Sequence, residues 1–356
     1  MKHKRQPGLF DIAERTAKLT EMGDPLVGLN AQIDWEAFRA DLDSIHDKAR
    51  KSNAGAKPID VVLMFKILVL QQLHNLSDDR IEYQIRDRLS FMRFLGLQLE
   101  DKVPDAKTVW LFRERLKERQ LTEVLFNRFH EQLAQRGYVA RAGQMIDATF
   151  VEAPRQRNSR EENALLKEGA IPIEWGKNAN QHKLAQKDID ARWTKKNNEN
   201  HYGFKNHINA DQEHKLVQSY AVTDAAVHDS QVFEAILDHT ENEEGNKRAV
   251  YADSAYRSAE KEAQLSACKM QSQICEKGSR NRPLTEAQKA SNKEKSRVRS
   301  RVEHVFGAQA QMGGHIVRTI GLLRAQVKIG MMNLVYNMVR LGQLMRRDRK
   351  VASAMA

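Results

Sequence analysis

The sequence is poor in cysteine, has no apolar run long enough to cross a bilayer, and shows no internal repeat or low-complexity tract. Its two cysteines, Cys268 and Cys275, have six residues between them, which suits neither a paired-cysteine zinc site nor a disulfide framework. A reducing, cytoplasmic setting is therefore expected. Lys66 interrupts the apolar stretch Val61–Leu70, and Asn333, Asn337 and Arg340 interrupt the Met-rich C-terminal run, so no membrane association is expected. The basic start, Met1 to Pro7, leads into Asp11, Glu14 and Arg15 instead of an apolar core, and so does not read as a signal peptide.

What the chain has is length and positive charge. Its 356 residues can bury a substantial core, and 58 Lys and Arg against 47 Asp and Glu give a formal charge of +11. The basic residues run along the whole chain, which favours a polyanionic partner, nucleic acid first.

From about Trp35 to Gly137 the periodicity predicts consecutive helices with short connections. Pro58 suits a first helical position ahead of an apolar face of Val61, Met64, Phe65, Leu68 and Val69. Ser77 and Thr108 are expected to cap two further helices, and Gly137 to close the last. The arrangement is helix-turn-helix-like. The helix after Thr108 carries Arg113, Arg115, Lys117 and Arg119, which suit either DNA or a solvated face.

A domain boundary is expected near residues 138 to 143, where the pattern changes to period two. Strands are predicted at Gln144–Ala153, His201–Ala210, Lys215–Thr223, Ala249–Ala252 and around Gln271–Cys275. Helices are expected from about Ser230 to His239 and near Glu260–Ala267, and Arg155–Asn200 reads as a long basic loop. This order is that of a ribonuclease-H-like domain. A C-terminal helix over Ile316–Met345 presents Val327, Met331, Leu334, Val335, Met338 and Leu341 for packing, with a dimer surface as the alternative. The fold class is thus α+β: a helical domain over 1–140, a mixed α/β domain over 141–312 and a C-terminal helical segment over 313–356.

Three acids stand in distinctive settings: Asp147 in Met-Ile-Asp-Ala-Thr-Phe-Val, Asp253 in Val-Tyr-Ala-Asp-Ser-Ala-Tyr, and Glu303 in Arg-Ser-Arg-Val-Glu-His-Val-Phe. An Asp inside an apolar strand costs several kcal/mol unless it is paired or metal-bound. The predicted topology sets Asp253 at the carboxyl end of a strand beside it, and Glu303 on a helix against the sheet. Three hard oxygen donors suit Mg²⁺, and two such ions about 4 Å apart can serve an in-line displacement at phosphorus. Each acid also has a plainer explanation. Asp147 can pair with a buried arginine, Asp253 can cap a turn through Ser254, and Glu303 can pair with Arg299 one helical turn earlier.

Basic residues surround these acids in sequence. Lys277–Arg301 holds nine Lys or Arg against two Glu, including Lys295, Arg297 and Arg299, and reads as a phosphate approach or a solvated linker. Lys205 and His207 share one strand face and are assigned to DNA contact at the catalytic crevice, with Tyr202, Phe204 and Ile208 in the core. Asp229 is explained as an N-cap. Trp193, between Arg192 and Lys195, suits stacking on an unpaired base or anchoring its loop.

The chain resembles the bacterial DDE transposases of insertion sequences, the IS-five group in particular, nearly end to end. The likeness lies in Leu63–Leu73, Asp87–Leu97 and Val103–Thr108, then in Asp147-Ala148-Thr149, Ala191–Lys196, Tyr202–His207, His228-Asp229-Ser230, Ala252–Tyr256 and Arg299–Glu303. The resemblance implies a Mg²⁺-dependent ribonuclease-H-like catalytic domain, Mn²⁺ being a possible substitute, with Asp147, Asp253 and Glu303 as the acid triad. It implies cleavage at element ends by water, attack of the freed 3′-hydroxyl on target DNA, and a homo-oligomer holding two ends. DNA is the implied partner, at the bacterial nucleoid. Around the last acid, Arg299 and Glu303 match the Tyr-Arg-Glu-Lys pattern of related enzymes, but Ser296 and Ala310 replace its Tyr and Lys. The alternatives are a nuclease that does not join strands and an inactive DNA-binding repressor.

Overall fold

The computed structural model describes residues 8, 10–46, 58–139, 142–176, 181–196, 198–240, 248–279 and 281–355; the basic start through Pro7 and part of the expected boundary lie outside them. The chain divides into one compact unit of residues 1–128 with 341–356 and another of 129–340.

The first unit is helical: α1 (Asp11–Glu21), α2 (Pro25–Gln32), α3 (Arg39–Asp43), α4 (Val61–Leu73), α5 (Asp78–Asp87), α6 (Leu89–Leu95), α7 (Ala106–Glu118) and the start of α8 (Leu121–Gln135). Helix α4 is its centre. The expected single apolar face is too narrow a description, because Val62, Ile67 and Leu70 are buried as well, which makes α4 a core helix covered on all sides. Its one charge, Lys66, donates to the Phe94 carbonyl at 3.1 Å and lies over the Trp35 and Phe94 rings. Pro58 is not the first residue of α4, which starts at Val61 because Asp60 caps it, its carboxylate accepting from Leu63 N at 2.9 Å. Ser77 caps α5 as expected, whereas α7 starts two residues before Thr108, with Asp105 accepting from Thr108 N.

The second unit contains the sheet: β1 (Gly143–Glu152), β2 (Arg192–Lys196), β3 (Glu199–Asp211), β4 (Val217–Asp224), β5 (Ala249–Tyr251) and β6 (Gln271–Ser272). Strand β1 lies in the middle, antiparallel to β3 on one side and parallel to β5 on the other. Beyond them β4 runs antiparallel to β3, and β6 parallel to β5. This is the order expected of a ribonuclease-H-like domain. Strand β2 is an addition, paired with Glu199–Gly203 on the edge of β3 that β4 occupies further along. Gly203 sits where the two stretches meet, at φ +147, and a Cβ there would lie 2.4 Å from the Val151 carbonyl. Only glycine fits that crossing.

The expected loop between Arg155 and Asn200 is instead built: α9 (Arg160–Lys167), α10 (Ile173–Gly176) and α11 (Gln181–Gln186) precede β2. A capping box, Ser159 with Glu162, starts α9. Trp175 is fully buried and donates through Nε1 to Glu162 at 2.7 Å, while the Lys183 and Lys187 ammonium groups each lie 5.5 Å from its ring. Trp175→Ala is expected to cost about 3–5 kcal/mol, the usual range for emptying a buried tryptophan site. Denaturant midpoints check this, and an unchanged midpoint refutes the anchoring role.

Helices α12 (Asp229–Ile236) and α13 (Ala259–Ala267) pack with Ile146 and Val250 in one core that also holds Phe233, Tyr256 and Leu265. Later in the chain come α14 (Glu286–Arg299), α15 (Glu303–Gln311) and α16 (Leu322–Met355). The last starts and ends later than its apolar pattern indicates. Asn337 on α16, almost fully buried, accepts from Val217 N at 2.9 Å and donates to the Val217 carbonyl at 2.7 Å.

Candidate active site

The register of the sheet brings the first two acids abreast. Met145 pairs with Tyr251 in the parallel β1–β5 ladder, so two residues further along Asp147, inside β1, and Asp253, just past the end of β5, lie at the same level. Asp147 is 8% exposed. Burial raises its pKa above the usual carboxylate range, the Arg299 guanidinium and the Ala148 N–H oppose the rise, and the charges of Glu303 and Asp253 add to it. That coupling places all three acids in one electrostatic neighbourhood. Asp253 caps the short turn Ser254–Tyr256 by accepting from Ala255 N, and Glu303 is exposed at the start of α15.

Arg299, at the end of α14, donates from Nη1 to Asp147 Oδ2 at 2.5 Å. The plainer role expected of Asp147, an arginine pair, is thus realised, and the expected Arg299–Glu303 pair gives way to it. Ser296, in place of the pattern's Tyr, has its hydroxyl 3.5 Å from the Cys275 sulfur.

The donor set fits a hard divalent cation in kind: three carboxylates, one of them desolvated and raised partly by the other two. Among the described residues no three His, Cys, Asp or Glu side chains converge closely enough to hold a metal ion. Arg299 is the cation paired with Asp147.

Beside Glu303 lies a cavity of about 180 Å³ lined by Thr149, Phe150, Lys196, Glu199, His201 and Phe306. Phe150 and His201 stack with centroids 4.2 Å apart. Phe150, Glu199, His201 and Phe306 are not singled out in the sequence, and the placing of β2 against β3 brings Lys196 and Glu199 to Glu303.

The basic residues expected at DNA divide into two sets. His207 is fully buried, has Nε2 2.9 Å from Thr223 Oγ1, and has its pKa pushed down to about 4 by burial, so it is not offered to a ligand. Lys205 is 7% exposed and bonds the Val227 carbonyl and Asp229 at 2.7 and 2.8 Å. Both face α12, because they alternate with Asn206 and Ile208, the cross-strand partners of Thr149 and Asp147. The expected DNA contact at the crevice is corrected for this pair. Asp229 is likewise not the cap of α12; His228 is, accepting from Ser230 N, and Asp229 holds Lys205.

Arg113 is tied to Asp78 by two bonds of 2.7 Å, and Arg115 is half-buried on the same helix. Lys295 donates to the Ile274 carbonyl at 3.3 Å, and Arg192 to the Ile189 carbonyl at 2.5 Å. Trp193 is 42% exposed, packs against Tyr202 at 4.9 Å and has Arg155 over its ring, so it is anchored yet keeps open surface. Arg297 is exposed, and with Lys293 and Arg301 it forms a stripe at four-residue spacing that ends beside Glu303.

No solved structure matches this chain. No helix among the described residues is long and apolar enough to cross a membrane. A family model described as transposase domain (DUF772) matches residues 14–115, within the helical unit. The model described as transposase DDE domain matches residues 140–338, which takes in the whole sheet, all three acids and the stripe that leads to the last of them. A match over more than half of the chain decides the family, and the protein belongs to the DDE transposases.

Proposed function

We propose that this transposase, of the IS-five group of insertion sequences, binds the terminal inverted repeats of its element, cleaves their ends and joins the 3′-hydroxyls to target DNA. The observation that supports the reading best is that Asp147 and Asp253 lie level on adjacent strands, with the charge of Glu303 acting on Asp147 and an exposed basic stripe leading towards Glu303. Asp147, Asp253 and Glu303 would hold Mg²⁺ or Mn²⁺. When bound, such an ion activates the attacking oxygen and neutralises charge on the leaving one.

The chain's own residues have separable parts in this reading. Lys293, Arg297 and Arg301 take successive phosphates and guide the strand to Glu303. Arg299, paired with Asp147, would offer a guanidinium to a phosphate at the acids. Trp193 offers its open face to an unpaired base. Two copies hold the two ends, as joining both of them requires.

The test is strand transfer by purified protein with Mg²⁺ on DNA carrying the sequences that flank the gene. Joined products are expected. Cleavage without joining replaces the reading with a nuclease, and binding without either replaces it with an inactive DNA-binding protein.

A further inference from the structure

Three side-chain amides from distant parts of the chain close a ring on the face of the sheet that carries Asp147. Asn206 Nδ2 donates to Gln309 Oε1 at 3.2 Å, Gln309 Nε2 to Asn333 Oδ1 at 2.7 Å, and Asn333 Nδ2 to Asn206 Oδ1 at 3.1 Å. A fourth bond, Asn206 Nδ2 to Asn333 Oδ1 at 3.1 Å, makes the two asparagines reciprocal partners. All three are at most 2% exposed.

Two of the members belong to elements tied directly to the acids. Asn206 lies on β3 opposite Thr149, two residues from Asp147 on β1. Gln309 lies on α15, whose first residue is Glu303, and Asn333 lies on α16. Behind the ring the chain after α15 is fixed to the end of β1, where Glu152 N donates to the His315 carbonyl at 2.9 Å and Val317 N to the Glu152 carbonyl at 2.8 Å. Gly314 closes that turn, and a Cβ there would lie 2.7 Å from the Gln309 carbonyl oxygen.

Apolar packing specifies a helix's position along its axis less sharply than directional bonds do. Val302 and Val305 on this helical stretch supply such packing, which is non-directional. A closed ring of directional bonds fixes one position, and a buried polar network that is fully satisfied specifies a unique packing. Apolar side chains of the same shape would be about as stabilising, so stability alone does not account for the amides.

We propose that Asn206, Gln309 and Asn333 are positioning residues for Glu303: the ring sets the axial register of α15 and so the distance from Glu303 to Asp147. The inference rests on the reading of Glu303 as an acid of the catalytic site. Gln309→Met is the most selective test, because it unlinks α15 and leaves the two asparagines bonded to each other. Expected are a melting temperature close to wild type, unchanged DNA binding in EDTA, a half-saturating Mn²⁺ concentration for cleavage raised about tenfold, and weaker Mn²⁺ binding by the DNA-free protein. Cleavage at saturating Mn²⁺ falls by about 10²-fold, as for a displacement of about 1 Å in a reacting constellation.

The second variant, Asn206→Leu with Gln309→Met and Asn333→Leu, removes every polar group of the ring and is expected to show the same shift. A folded variant of either kind with wild-type metal dependence overturns the proposal. So does failure of both to fold, which would make the ring a requirement of folding alone. Glu303→Gln, measured alongside, isolates the underlying reading: if it binds Mn²⁺ and cleaves like wild type, the role given to Glu303 fails, whatever the ring does.

Discussion

Asp147→Asn is expected to lower cleavage and joining by about 10³-fold or more while leaving the fold intact. The carboxylate is buried on the central strand, and its proton affinity is raised first by that burial and further by Glu303 and Asp253. A carboxyl whose pKa is higher folded than unfolded favours the folded state fully below the unfolded pKa. That advantage is lost as pH rises towards the folded pKa, and above it the charge is a net burden, partly relieved by Arg299. Asparagine removes the burden, and the variant should melt no lower than wild type in the absence of metal. Divalent metal should raise the wild-type melting temperature, by about 2.7 kcal/mol of stability at a hundredfold excess over Kd, and leave the variant unmoved. Melting curves with and without Mn²⁺, beside a cleavage assay, test both halves; cleavage within tenfold of wild type would remove Asp147 from the chemistry.

Neutralising Lys293, Arg297 and Arg301 together to Gln should weaken DNA binding by about 10²-fold and lower the slope of log K against log salt by about 3, close to one unit for each phosphate left without its cation. All three are exposed at four-residue spacing on or just beyond α14. Lys289→Gln is the internal comparison, since Lys289 lies on the same helix but pairs with Glu286 at 2.8 Å, and it should change the slope little. Titrations at several salt concentrations decide it. A slope that does not move in the triple variant would make the helix a solvated face and nothing more.

Asp147 stands out as an acid in an apolar run, and the strand order is legible because it depends on local pattern, a period of two. The direction in which β3 faces is not. Lys205 and His207 do share a face, as alternation requires, but β3 is covered on both sides and its burial carries no polar edge to tell them apart. The helices between β1 and β2 escape the periodicity although the signature of α9, Ser159 with Glu162 three residues on, is plain in the sequence. Charge on all sides conceals it, and the residue that organises the insertion, Trp175, stands out only as part of an apolar patch. The amide ring is harder still. Asn206, Gln309 and Asn333 are 103 and 24 positions apart in successive steps, so nothing local announces them. The one signal is an asparagine inside the apolar stripe of α16, which reads only as a break in hydrophobicity.

Asn337 has a bearing on solution behaviour. Strand β4 ends the sheet on its side, and an outermost strand with free amide and carbonyl groups is a template for strand addition by another chain. The side-chain amide of Asn337 takes both backbone groups of Val217, as a neighbouring strand would, and the helix that carries it is far too bulky to be displaced by a passing extended segment. The protein thus covers part of the outer edge of its own sheet with a side chain, a local safeguard against strand addition there.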